Sequence, residues 1–181
     1  MRVTPLLRLT LTLLPVMLAL SACNSAGRLE MARANTDAIP PGRSVALWVK
    51  PTLGDHASKG AQEDASETSN WLRAELFNRL VSEGIFNYVF QPGEPADYHM
   101  DVSVTEAKEV SQNARFWLGP FAGRNDLAAD VALYDEATGD LLTQFRVTGE
   151  SASMPTSSRT DIEDAVHEAV DKIISALKSE A

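Results

Sequence analysis

Apolar positions along the second half of the chain alternate with polar ones. In Ala96–Val110, Tyr98, Met100, Val102 and Val104 share one side, while His99, Asp101, Ser103 and Thr105 share the other. A period of two is that of a half-buried strand. Leu127, Ala129, Val131 and Leu133 repeat the pattern against Asp126, Asp130 and Tyr134. After the turn Asp135-Glu136-Ala137-Thr138-Gly139-Asp140, Leu141–Gly149 places Leu141, Phe145 and Val147 opposite Gln144, Arg146 and Thr148. These last two strands form a hairpin. Two shorter apolar runs, Ser44–Val49 and Ile85–Phe90, also read as strands, the second closed by a turn over residues 91–95.

Helical spacing appears twice. Leu72, Leu76 and Leu80 form a stripe, with Phe77 and Val81 beside it, which predicts a core-facing helix over Ala65–Glu83. Asp64 with Glu67 has the form of a capping box, Glu63 and Asp64 suit the positive end of the helix dipole, and Gly84 stands where a glycine ends a helix. Residues 52–64 read as a polar loop. The final helix starts at Thr160 with Glu163 three residues on, and Ile162, Val166, Val170, Ile173 and Leu177 line its buried side. Ala165, Ala169 and Ile174 widen that side. Residues 151–159 form a Ser/Thr-rich loop. The order β-α-β-β-β-β-α predicts an α+β fold: a two-layer sandwich of one mostly antiparallel sheet and two helices.

The N-terminal pattern differs. Arg2 and Arg8 precede a twelve-residue apolar run, Leu9–Leu20, that contains Pro15. The run is too short to span a bilayer, which takes about 20 residues, but it suits the apolar region of a signal peptide. Leu20-Ser21-Ala22-Cys23 follows and resembles the bacterial lipobox. That resemblance implies cleavage between Ala22 and Cys23, diacylation of the Cys23 thiol, and acylation of the new amino group. Asn24, rather than Asp, implies the periplasmic face of the outer membrane. The chain divides into a signal peptide (1–22), a lipidated tether (23–43) with at most a short helical turn, and one domain (44–181).

Composition narrows the function. Without residues 1–22 the chain carries 14 basic and 25 acidic residues, a net charge of −11. Such a domain repels phosphate backbones, so no nucleic acid is expected. Its overall charge does not draw it to an anionic lipid surface either. With a single cysteine there is neither an intramolecular disulfide nor a multi-cysteine metal site.

Ala96-Asp97-Tyr98, the stretch Arg115–Gly123, and Leu133-Tyr134-Asp135 with Thr138-Gly139 and Leu141-Leu142 carry a resemblance. Together they resemble a family of small bacterial lipoproteins known only as a domain of unknown function. Its features are an A-D-Y strand start, a Gly-rich segment and a D-x-x-T-G hairpin turn. In this chain Phe116, Trp117 and Phe121 crowd the Gly-rich segment. The family is distantly similar to periplasmic α/β domains of curli-secretion and TolB-type proteins, which implies a binding or assembly module.

Candidate chemistry is sparse. His56, His99 and His167 have no second ligand-type residue at metal spacing. No G-x-S-x-G elbow occurs. Gly119–Arg124 lacks the Gly-Lys-Ser/Thr of a phosphate loop. Asp101 and Asp130 lie on polar strand faces, where a solvated sheet surface explains them better than an acid–base pair. No catalytic residue, metal or cofactor is expected. Phe116, Trp117, Leu118 and Phe121 form an aromatic segment between two strands, a candidate contact for a partner protein or the membrane. The expected function is a non-enzymatic binding or assembly lipoprotein of the envelope. The alternative is a carrier of an apolar small molecule or lipid between helices and sheet.

Overall fold

The structure, a computed structural model, describes residues 28–34, 39–55, 57–109, 125–151 and 162–179. The strands are β1 (Leu29–Arg33), β2 (Ser44–Pro51), β3 (Tyr88–Phe90), β4 (Tyr98–Lys108), β5 (Asp126–Asp135) and β6 (Leu141–Glu150). The helices are α1 (Lys59–Ser82) and α2 (Ile162–Ser179). From Ser44 onward the order is the predicted β-α-β-β-β-β-α. The strands make one sheet in the order β1-β6-β5-β4-β2-β3. β2 pairs parallel with β3 and β4; the other pairs are antiparallel.

The alternation in β4 sets the layers. Tyr98, Met100, Val102 and Val104 are buried, together with Val45 and Leu47 of β2, Val131 and Leu133 of β5, and Phe145 and Val147 of β6. Leu72, Leu76 and Leu80 of α1 and Val166, Val170, Ile173 and Leu177 of α2 close over this face. Leu76, Leu80 and Val170, which would wall a lipid-carrying cavity, are fully buried in that one cluster.

β2 and β6 run the same way, and each leads into a helix, so α1 and α2 are parallel neighbours. Their seam carries a ladder of polar contacts: Glu75–His167 at 3.4 Å, then the ion pairs Arg79–Asp171 at 2.9 Å and Glu83–Lys178 at 2.8 Å. The steps of four along α1 are the repeat of one helix face. The Lys178 ammonium holds the Glu83 carboxyl below its ordinary value, and Arg79 acts the same way.

Three elements differ from expectation. Leu29–Arg33, expected within a tether, is an edge strand on β6. The Thr143 hydroxyl donates to the Arg33 carbonyl at 2.8 Å, and the Arg28 N–H donates to the Thr148 hydroxyl at 2.6 Å. Helix α1 starts six residues early. Its cap is Ser58, whose hydroxyl accepts from the Ala61 N–H at 3.2 Å, so Asp64 lies inside the helix. The second short strand shrinks to Tyr88–Phe90, because the Ile85 and Phe86 N–H groups both donate to the Leu80 carbonyl as the helix ends. Gly84, at φ +71°, supplies the left-handed residue expected there.

Candidate partner-binding surface

Both helices lie on one side of the sheet, so its other side has no cover among the described residues. On that open face the odd-numbered positions of β4 come to the surface. His99 faces Tyr134 across β4 and β5, and Trp48 of β2 sits opposite Asp101. The Trp48 ring stacks on His99 with centroids 5.2 Å apart and planes 23° from parallel. Tyr134 meets the other side of the imidazole edge-on at 6.0 Å. Tyr88 and Phe90 of β3 stack at 6.3 Å farther along the face. Trp48 is 37% exposed and Tyr88 61%.

Carboxylates border this aromatic row. His99 Nε2 is 3.0 Å from Asp101 Oδ1, and His99 Nδ1 is 3.7 Å from Glu136 Oε2. His99, Asp101, Tyr134, Asp135, Glu136 and Gly139 line an open depression of about 340 Å³. The imidazole thus has two rings and two carboxylates as neighbours, with Asp101 within hydrogen-bond distance. Such a site offers flat apolar area and hydrogen-bond acceptors in fixed positions, which is how aromatic anchors of protein interfaces work.

The two turns that flank the site use the motif residues quoted above. Asp97 accepts from the Ser44 N–H at 2.8 Å, the Ser44 hydroxyl at 2.7 Å and the Arg43 guanidinium at 2.9 Å. These bonds, Ser44 first, lower its carboxyl to about 2. The A-D-Y motif therefore ties the start of β4 to the start of β2. Burial raises the phenol of neighbouring Tyr98 above its ordinary value. In the D-x-x-T-G turn, Asp135 Oδ1 accepts from the Ala137 and Thr138 N–H groups, each at 2.9 Å. Gly139, at φ +75°, takes the left-handed position that closes the turn.

Of the residues singled out by sequence, His99 and Asp101 come together on this face. Asp130 pairs with Arg146 at 3.4 Å, so no Asp101–Asp130 acid–base pair forms. His167 pairs with Glu75 across the helices. Glu63 pairs with Lys59 inside α1. Among the described residues no group of His, Cys, Asp and Glu is arranged to hold a metal. Ala22, Cys23, His56, Phe116, Trp117, Leu118, Phe121 and Thr160 lie outside the described residues. Trp48, Tyr88 and Tyr134 are the residues that sequence patterning did not single out; polar-face aromatics on neighbouring strands were the available signal. Helix α1 hides a second surprise. Phe77 and Val81, expected beside the core stripe, are 37% and 42% exposed, and Trp71 is 43% exposed.

A family model described as a domain of unknown function, DUF4410, matches residues 29–155, which is β1 through β6 and the start of the segment before α2. The chain belongs to the DUF4410 family. Its match begins at the first residue of β1, which agrees with counting that strand as part of the domain. Comparison with curated protein sequences gives no match.

Solved structures are similar at low identity. The PelC dodecamer from Paraburkholderia phytofirmans is similar with a TM-score of 0.55 and 14% identity, over 83% of this chain and 96% of that one. Lipoprotein GNA1162 from Neisseria meningitidis has a TM-score of 0.44 and 14% identity, over 77% of this chain and 99% of that one. Protein XCC0632 from Xanthomonas campestris has a TM-score of 0.43 and 11% identity, over 82% and 89% respectively. These three structures do not by themselves show the resemblance to curli-secretion and TolB-type domains that the sequence suggests. No helix among the described residues is long and apolar enough to cross a membrane.

Proposed function

We propose that this DUF4410 protein is a non-enzymatic lipoprotein of the bacterial envelope, held by lipid on Cys23 at the periplasmic face of the outer membrane. Its domain binds an envelope protein through the open sheet face at Trp48, His99 and Tyr134. The observation that carries this reading is the aromatic row on a sheet side that no described element covers, with a stacked Trp48–His99 pair at its centre. An open sheet face of this kind gains from being covered, because a half-exposed Trp and Tyr leave apolar area in water. PelC, which shares the fold, is a dodecamer, and that favours a role in assembly.

The anchor rests on Leu20-Ser21-Ala22-Cys23. Each buried methylene contributes about 0.8 kcal/mol, so two or three acyl chains hold a protein where one does so only marginally. Phe116, Trp117, Leu118 and Phe121 are proposed as a second contact, because a Trp and two Phe in one short stretch are residue types that anchor interfaces.

The test is co-purification of the acylated protein from crosslinked membranes, with Trp48→Ala, His99→Ala, Phe116→Ala and Trp117→Ala variants beside it. Loss of the same partner in the Trp48 and His99 variants supports the open face. Unchanged partners in all four end the proposal.

A further inference from the structure

We infer that strand β1 is the edge of the domain that rests on the membrane. The surface it meets is the phospholipid bilayer that holds the acyl chains of Cys23. This inference depends on the lipid anchor proposed above.

The length of the leash is the first argument. Once Leu29–Arg33 belongs to the sheet, the chain from Cys23 to Arg28 is five residue steps rather than twenty. Fully extended, five steps reach about 17 Å. β1 is one edge of the sheet and β3 is the other. Five inter-strand spacings of about 4.8 Å put β3 roughly 24 Å beyond β1. The lipid therefore keeps the start of β1 within about 17 Å of its anchor point, a bound that the β3 edge does not share.

The second argument is what β1 presents. Leu29 and Met31 pair with Val147 and Phe145, so they point to the helix side of the sheet. Helix α2 covers β5 and β6, and α1 covers β2, β3 and β4. Neither packs substantially against β1, and Leu29 and Met31 are 39% and 41% exposed. Arg28 and Arg33 stand at the two ends; Glu30, the one acidic residue between them, pairs with Arg28 at 3.1 Å, so residues 28–33 keep one net positive charge. The edge is thus apolar and net positive within a domain whose net charge is −11. Apolar side chains flanked by arginines match the boundary between acyl chains and anionic headgroups. A bilayer against β1 also shields a free strand edge from pairing with another chain.

The acylated full-length protein in phosphatidylethanolamine–phosphatidylglycerol vesicles tests this. A single fluorophore is attached through Met31→Cys, through Leu29→Cys, or through Phe77→Cys on the distal helix; acylated Cys23 leaves the new thiol as the one to react. The quencher is a nitroxide on the lipid headgroup. The inference predicts quenching several-fold stronger at positions 29 and 31 than at 77. Equal quenching at all three sites, in protein that co-floats with the vesicles and carries lipid by mass, overturns the membrane-facing edge and leaves the anchor standing. Protein that carries no lipid on Cys23 and stays in solution overturns both.

Discussion

The carboxylate of Asp97 accepts two hydrogen bonds from Ser44, a residue 53 positions earlier in the chain, one from its N–H at 2.8 Å and one from its hydroxyl at 2.7 Å. With Arg43 it fixes how β2 and β4 start side by side, and so where Trp48 and His99 meet. Bonds to an ionised acceptor contribute more than neutral ones, but the side chain is 36% exposed, which screens part of the effect. Asp97→Asn is expected to lose about 1 to 2 kcal/mol at neutral pH.

The same pair predicts a pH dependence. Asp97 titrates at about 2 when folded, against an ordinary value of 3.8. A carboxyl depressed by folding stabilises the protein fully above its ordinary value, and that contribution fades as pH falls through the folded one. Denaturant unfolding of wild type and Asp97→Asn is therefore expected to show a gap that is constant at neutral pH and closes between about pH 4 and pH 2. A gap that persists unchanged below that window contradicts the role given to the carboxylate.

At Gly149 the sheet comes close to the backbone of α2. A Cβ there would lie 1.9 Å from the Ala165 carbonyl oxygen and 2.9 Å from its carbon. Both are backbone atoms and cannot swing aside. Gly149→Ala is expected to cost about 3 kcal/mol or more. Gly54→Ala, where a Cβ meets nothing within 4 Å, is the control, expected within about 0.5 kcal/mol of wild type. Thermal unfolding of the two variants separates them.

The start of α1 is tested by its cap. Ser58→Ala is expected to cost about 1 kcal/mol, since it removes the acceptor for the Ala61 N–H. Asp64→Ala is expected to change stability by less than about 0.5 kcal/mol, because Asp64 lies in the second turn and caps nothing. The reverse order in urea titrations places the helix start at Asp64 instead.

These differences mark what patterning reveals. β4, β5, β6 and α2 were legible because each buries one face against a single partner layer, and burial on one face imposes a period. β1 was not. Leu29 and Met31 alternate with Glu30 over only five exposed residues, with no β-branched or aromatic side chain to signal a strand. The first turn of α1, Lys59-Gly60-Ala61-Gln62, contributes no residue to the core and carries no stripe. Phe77 and Val81 resembled core because helical spacing gives a face its width but does not say where the neighbour ends.

The candidate site was half legible. His99 and Asp101 stand two apart on one strand, so their common face follows from a period of two. Trp48 and Tyr134 join them only through strand order, and β2 beside β4 arises from a parallel pairing that no local signal encodes. Asp97 was visible as a motif, while its bond to Ser44 depends on the same pairing.

The central claim is that the open sheet face binds a protein of the envelope. A photoreactive amino acid at position 48, in the acylated protein in intact cells, tests it most directly, with the same residue at exposed Asp164 on α2 as the reference. A discrete crosslinked protein at position 48, absent at position 164, is the predicted result. No crosslinked product at 48, or the same products at both positions, contradicts it.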